Sequence, residues 1–111
     1  MPETLKSLGQ TDLTTTSLTT VYAPSTSLSA AISTVAVCNR HTSLSCTYTL
    51  AHRPGGASIA NAHYLVYQSS LAANESAFLT IGMTMAGGDV LSAQAGTANQ
   101  LTVQAWGVEK T

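Results

Sequence analysis

"SAFLTIGMTMAGGDVLSAQAGTANQLTVQAWGV", residues 76 to 108, is a run of alternations broken twice. One side carries Leu79, Ile81, Met83 and Met85, the other Phe78, Thr80, Gly82 and Thr84, and a period of two belongs to a pleated strand. "AGGD" and "GTAN" interrupt the pattern with residues that turns require. The last run sets Leu101, Val103 and Ala105 against Thr102, Gln104 and Trp106. Apolar side chains on both sides of the first run predict a strand flanked by another layer or subunit. Trp106, on the more polar side of the last, predicts a lid or an interface.

Outward from this stretch the same phrasing recurs. Strands are expected at about 3 to 9, 18 to 23, 30 to 38, 44 to 52, 63 to 69, 76 to 85, 89 to 96 and 100 to 108, separated by breaks such as "GQTD", "PSTS", "NRHTS" and "RPGGASIANA". In the fourth, Cys46, Tyr48 and Leu50 share the side expected to face the core. No segment has the three- and four-residue apolar spacing of an amphipathic helix. The expectation is an all-β, two-sheet antiparallel sandwich, jelly-roll-like, of about eight strands in a single domain over 1 to 111. Within it, Leu5, Leu8 and Leu13 are spaced by polar residues, so 1 to 17 reads partly as an N-terminal arm, with 3 to 9 paired and 10 to 17 looping. The Thr-rich "TDLTTTSLTT" at 11 to 20 reads as a solvated loop.

Composition excludes several functions. Charged residues are 8% of the chain against about a quarter in an average soluble domain, so its polarity is carried by hydroxyl and amide groups. Four Lys/Arg against five Asp/Glu are scattered, and no basic stripe exists to displace counterions from nucleic acid or to hold an anionic membrane. Met1-Pro2-Glu3 is followed by no apolar run, so neither an export leader nor a membrane span is expected, and synthesis is expected in a cytoplasm.

The densest cluster of reactive side chains is "VAVCNRHTSLSCTYTLAHRP", residues 35 to 54, with Cys38, His41, Cys46 and His52. Four zinc ligands by type fail by spacing: Cys46 and His52 lie about 20 Å apart on an extended strand, at about 3.3 Å per residue. If 39 to 45 is a hairpin loop, Cys38 and Cys46 face each other within disulfide reach, although a reducing cytoplasm opposes the bond. Packed free thiols are the plainer reading, and no metal is expected. No catalytic residue is expected either. There is no G-x-S-x-G, Asp12 and Asp89 are the only aspartates, and the acidic residues fall at turns or termini, leaving no paired carboxylates. The paired glycines at 55 to 56 and 87 to 88 open no helix and read as turns rather than a phosphate cradle. His63, Tyr64, Tyr67 and Gln68 have the ring faces and amide of a sugar-binding surface, though ordinary alternation of strand five accounts for them too.

"MPETLKSLGQ", "LTTVYAPSTSLSAAISTVAVCNR", "ANAHYLVYQSSLAANESAFLTIGMTMAGGDVLSA" and "VQAWGVE" together resemble a family of small virion proteins of tailed bacteriophages. The resemblance implies a head decoration, staple or cement protein of the kind found on epsilon15-like short-tailed phages. Such a protein is a jelly roll on the outer capsid surface that clamps neighbouring coat subunits against internal DNA pressure. Its implied partner is the major capsid protein, and pairing with a second copy of itself as a dimer is expected because one copy touching one subunit would hold nothing together; no cofactor, nucleic acid or membrane is implied. Leu5, Leu8, Leu13, Tyr22, Phe78 and Trp106 are the candidate contact residues. The alternative is a tail-fibre or tail-tip module that binds a receptor or glycan.

Overall fold

The computed structural model describes residues 3 to 111. Eight strands form: β1 (Glu3–Leu13), β2 (Thr19–Tyr22), β3 (Ser29–Asn39), β4 (Cys46–Arg53), β5 (Tyr64–Leu71), β6 (Ser76–Met85), β7 (Val90–Ala95) and β8 (Leu101–Lys110). Short 3-10 turns at Pro54–Gly56 and Asn61–His63 shape the β4–β5 connection. One sheet has the order β1-β8-β3-β6 and the other β2-β7-β4-β5, and every pairing is antiparallel. Consecutive strands lie in opposite sheets, except β4 and β5, which pair directly. This winding is that of a two-sheet jelly roll.

The alternation read from the sequence sets the core. Ile32, Val35 and Val37 of β3, Leu50 of β4, Leu91 of β7 and Val103 of β8 meet between the sheets. β6 turns Leu79, Ile81 and Met83 inward, half-buried, because it is an edge strand with a partner on one side only. Asn39 ties one end of the sandwich. Its Nδ2 donates to the carbonyls of Leu44 and Leu71 at 3.0 and 3.1 Å, and its Oδ1 accepts the His41 N–H.

Several expectations are corrected. Residues 10 to 13 do not loop: β1 continues to Leu13, which pairs with Leu101 and is fully buried, and the connection to β2 begins only after it. The expected pairing of 3 to 9 is present, and the strand runs on so that 3 to 13 is the first strand of the sandwich; Met1 and Pro2, the start of the proposed arm, lie outside the described residues. The segment 39 to 45 is not a hairpin loop. β3 and β4 belong to different sheets, so Cys38 pairs with Ser76 and Thr102 whereas Cys46 pairs with Leu71, and both thiols are free. A disulfide between them has no shared ladder to form across.

A line of register slips crosses the first sheet. It falls between Ser7 and Gly9 on β1, between Ile32 and Thr34 on β3, and on β6 around Gly82, whose φ of 54° suits the irregularity. All three lie level with Trp106 and Gly107 on β8, and bulges aligned in this way bend a sheet. The bend brings backbone close to backbone: a Cβ on Gly107 would lie 1.9 Å from the Ala31 carbonyl oxygen. Only glycine fits there.

Candidate functional site

The face of the first sheet that points away from the core is the surface on which the sequence candidates can be tested. Paired residues share a face in an antiparallel ladder, so its rows follow from the register. Leu5 lies beside Val108 and Ala31; Ser7 beside Trp106 and Thr34; Gln10 beside Gln104, Ala36 and Phe78; Asp12 beside Thr102, Cys38 and Ser76. The Gln10 amide donates to Gln104 Oε1 at 3.2 Å, which fixes both side chains on this side. Trp106 sits half-buried at the bend, while Leu5 is 83% and Phe78 is 68% exposed. Three of the candidates, Leu5, Phe78 and Trp106, thus come together on one face.

The other three do not. Leu13 is fully buried, Tyr22 is buried, and Leu8, half-buried, packs against the core from the slip in β1. Isolated apolar residues among polar ones resemble contact points in a sequence. Here a bulge, a strand end and a cross-sheet hydrogen bond turn them inward. The Tyr22 hydroxyl donates to Glu109 Oε2 at 2.5 Å, and Lys6 Nζ reaches Glu109 Oε1 at 3.0 Å. Tyr22's hydroxyl and Lys6 hold the Glu109 carboxyl below the usual range, and burial with the adjoining carboxylate pushes the Tyr22 phenol up.

Charge is confined to the ends of the face. Arg40 meets Asp12 at 2.7 Å at one end and Lys110 meets Glu3 at 3.4 Å at the other, and the rows between hold no ionisable carboxylate or ammonium. The remaining cation, Arg53, donates to Ser92 Oγ and to the Ala57 carbonyl. Such a surface can bury apolar side chains and satisfy hydroxyl and amide groups, and its association needs no counter-charge. Val108 belongs to it and was missed from the sequence, although its spacing from Trp106 along β8 was the available signal.

The histidines serve structure. His41 Nδ1 accepts the N–H groups of Ser43 and Leu44, and His63 Nδ1 accepts that of Ala60. His52 Nε2 lies 2.9 Å from Asp89 Oδ2; Asp89 also accepts the Gly55 and Ala86 N–H groups, so one carboxylate ties two loops. The Gly55 N–H first, then His52 and the Ala86 N–H, hold the Asp89 carboxyl below its ordinary value. Among the described residues no three His, Cys, Asp or Glu side chains converge as metal ligands, and no helix is long and apolar enough to cross a membrane.

No family model matches the chain, and no curated protein and no solved structure matches it either.

Proposed function

We propose that this chain is a virion structural protein, a decoration or staple protein seated on the outer surface of a phage head, where it clamps neighbouring coat subunits. The observation that carries the reading is the outward face of the β1-β8-β3-β6 sheet. It is uncharged between its terminal ion pairs and carries exposed Leu5 and Phe78 on either side of Trp106. Adhesion of such a face draws on apolar burial and polar pairing, and many weak copies sum on a symmetric shell. Pairing of two copies lets each hold a different coat subunit, and the free edges of β1 and β6 offer backbone groups for the same purpose. The sequence resemblance to small phage head proteins supports the same assignment.

Adding the purified chain to particles that lack it should raise their DNA-release temperature, and Phe78→Ser should abolish the gain. Equal release temperatures with and without the protein would count against the clamp. Copies per particle on the order of hundreds are expected, since a shell repeats each site by its symmetry. A count of a few dozen or fewer would move the protein to the tail.

A further inference from the structure

The outward face of the second sheet holds a groove of about 260 Å³, closed on one side by the loop between β1 and β2. Thr47 and Thr49 of β4, Gln68 of β5, Gln94 of β7 and Thr16 of the loop supply its polar lining, and no charged residue reaches it. The walls are fixed by two hydrogen bonds. Gln94 Nε2 donates to the Thr16 carbonyl at 2.8 Å and holds the loop in place; Thr49 Oγ1 accepts the Gln68 N–H at 3.1 Å. That second bond anchors Gln68 at a φ of 50°, a conformation uncommon for a residue with a side chain, at a register slip of β5. Gln68 lines the groove from this slip. Its carboxamide, the Thr47 hydroxyl and Gln94 Oε1 have no protein hydrogen-bond partner among the described residues.

Beside these groups stands an aromatic pair. Tyr67 precedes Gln68 and is 62% exposed, and its ring meets that of Tyr64 edge-on at 4.7 Å between centroids. Tyr64 pairs with Ala51, one row further along the same face than Thr49, about 7 Å on at the rise of a strand. The ligand class follows from what the site has and lacks. An ionic ligand would find no counter-charge and an apolar one no apolar wall. A neutral polyhydroxylated ring finds free amide and hydroxyl partners together with an exposed ring for its C–H face. The volume is below the roughly 300 Å³ at which sites for drug-sized ligands begin, which suits one sugar ring inside the groove and a second running over Tyr67.

We propose that this groove binds a hexose unit of a neutral saccharide, with Gln68, Thr47 and Gln94 hydrogen-bonding its hydroxyl groups and Tyr67 stacking on the adjoining unit. The proposal goes beyond the decoration reading and does not depend on it, since the groove belongs to the isolated domain and faces away from the surface assigned to the coat.

The test is an amide-resolved NMR titration of the purified chain with glucose, galactose, mannose and N-acetylglucosamine, and with maltose, cellobiose and lactose. At least one sugar should bind in the millimolar range and move the amides of Thr47, Gln68 and Gly96. Thr47→Val, which keeps the shape and drops the hydroxyl, should weaken binding about tenfold, as should Gln68→Asn, which accepts a left-handed φ and shortens the amide; one lost hydrogen bond is worth about that factor. Tyr67→Ala should weaken the disaccharide more than the monosaccharide. Unchanged thermal midpoints certify that the variants are folded. The proposal is overturned if no sugar moves the groove amides, or if the shifts persist undiminished in Thr47→Val and Gln68→Asn. Particle binding by these variants should match the wild type, which separates failure here from failure of the decoration reading.

Discussion

The two outward faces are drawn from the same small alphabet of Thr, Ser, Gln, Ala and a few aromatics, yet they differ in shape and in what they leave unsatisfied. On the first sheet, slips aligned across β1, β3 and β6 bend all the strands together, and the face stays open with Leu5, Trp106 and Phe78 raised on it. On the second, two slips fall in β5 and one in β2, and a polar groove forms between the slip at Gln68 and the overlying loop. The first face is broad and open, whereas the second holds a recess of small-ligand size.

The sharpest way to break this contrast is the same substitution on both sheets. Gly107→Ala drives a Cβ into the Ala31 carbonyl at the bend, where backbone must move, and should cost about 3 kcal/mol or more in urea unfolding. Gly96→Ala meets only the Thr47 hydroxyl, which can rotate away, and should cost no more than about 1 kcal/mol. Equal losses would mean that the bend is no more constrained than the groove.

Acid sharpens the contrast next. Asp89 ties the loops at one end of the second sheet, and Glu109 joins β8 of the first sheet to Tyr22 of the second. Both carboxyls are held below their ordinary values, so the stability they contribute is complete above the usual carboxylate range and is lost as pH falls through the lowered folded values. Asp89→Asn should cost about 2 kcal/mol at neutral pH, because backbone N–H groups lose a charged acceptor, and nothing once the wild-type carboxyl is protonated. Thermal midpoints measured against pH for the two proteins should therefore converge in acid. Parallel curves would show that the carboxylate charge is irrelevant to the tie.

Smaller still is the effect of exposed apolar residues on the fold itself. Leu5→Ser and Phe78→Ser should shift unfolding by less than about 0.5 kcal/mol while reducing particle occupancy. Because the face is uncharged, wild-type attachment should persist when salt rises to about 1 M, where the screening length shrinks to about 3 Å. Release by salt would relocate the contact to the charged ends. The smallest effect expected is that of a thiol reductant on the thermal midpoint, which should be nil, since Cys38 and Cys46 stand in different sheets.

Much of this architecture is legible in the residues. The stretch 76 to 85 matches β6 at both ends, and the inward sets of β4 and β8 are those of the alternation, because burial of one side of a strand leaves a mark of period two whatever lies opposite. Which of the candidate contacts stay on the surface was half legible. Phe78 and Trp106 announce themselves by sitting on the polar side of their strands, whereas Leu8 and Tyr22 sit at irregularities that reverse the expected facing. The groove was less visible still, since Thr47, Gln68 and Gln94 meet only after three strands pair and a loop folds over them.

The sequence by itself determined that this chain forms short strands, where most of them start and stop, and which side of each is apolar, all of them matters of local periodicity and turn chemistry. Tertiary structure alone decided which sheet each strand joins, that the segment between Cys38 and Cys46 crosses the sandwich instead of closing a hairpin, and which side chains share a face. The reason is physical. Alternation records that a side must be buried, but any apolar layer satisfies it, and the choice among layers is made only when all eight strands close one core together.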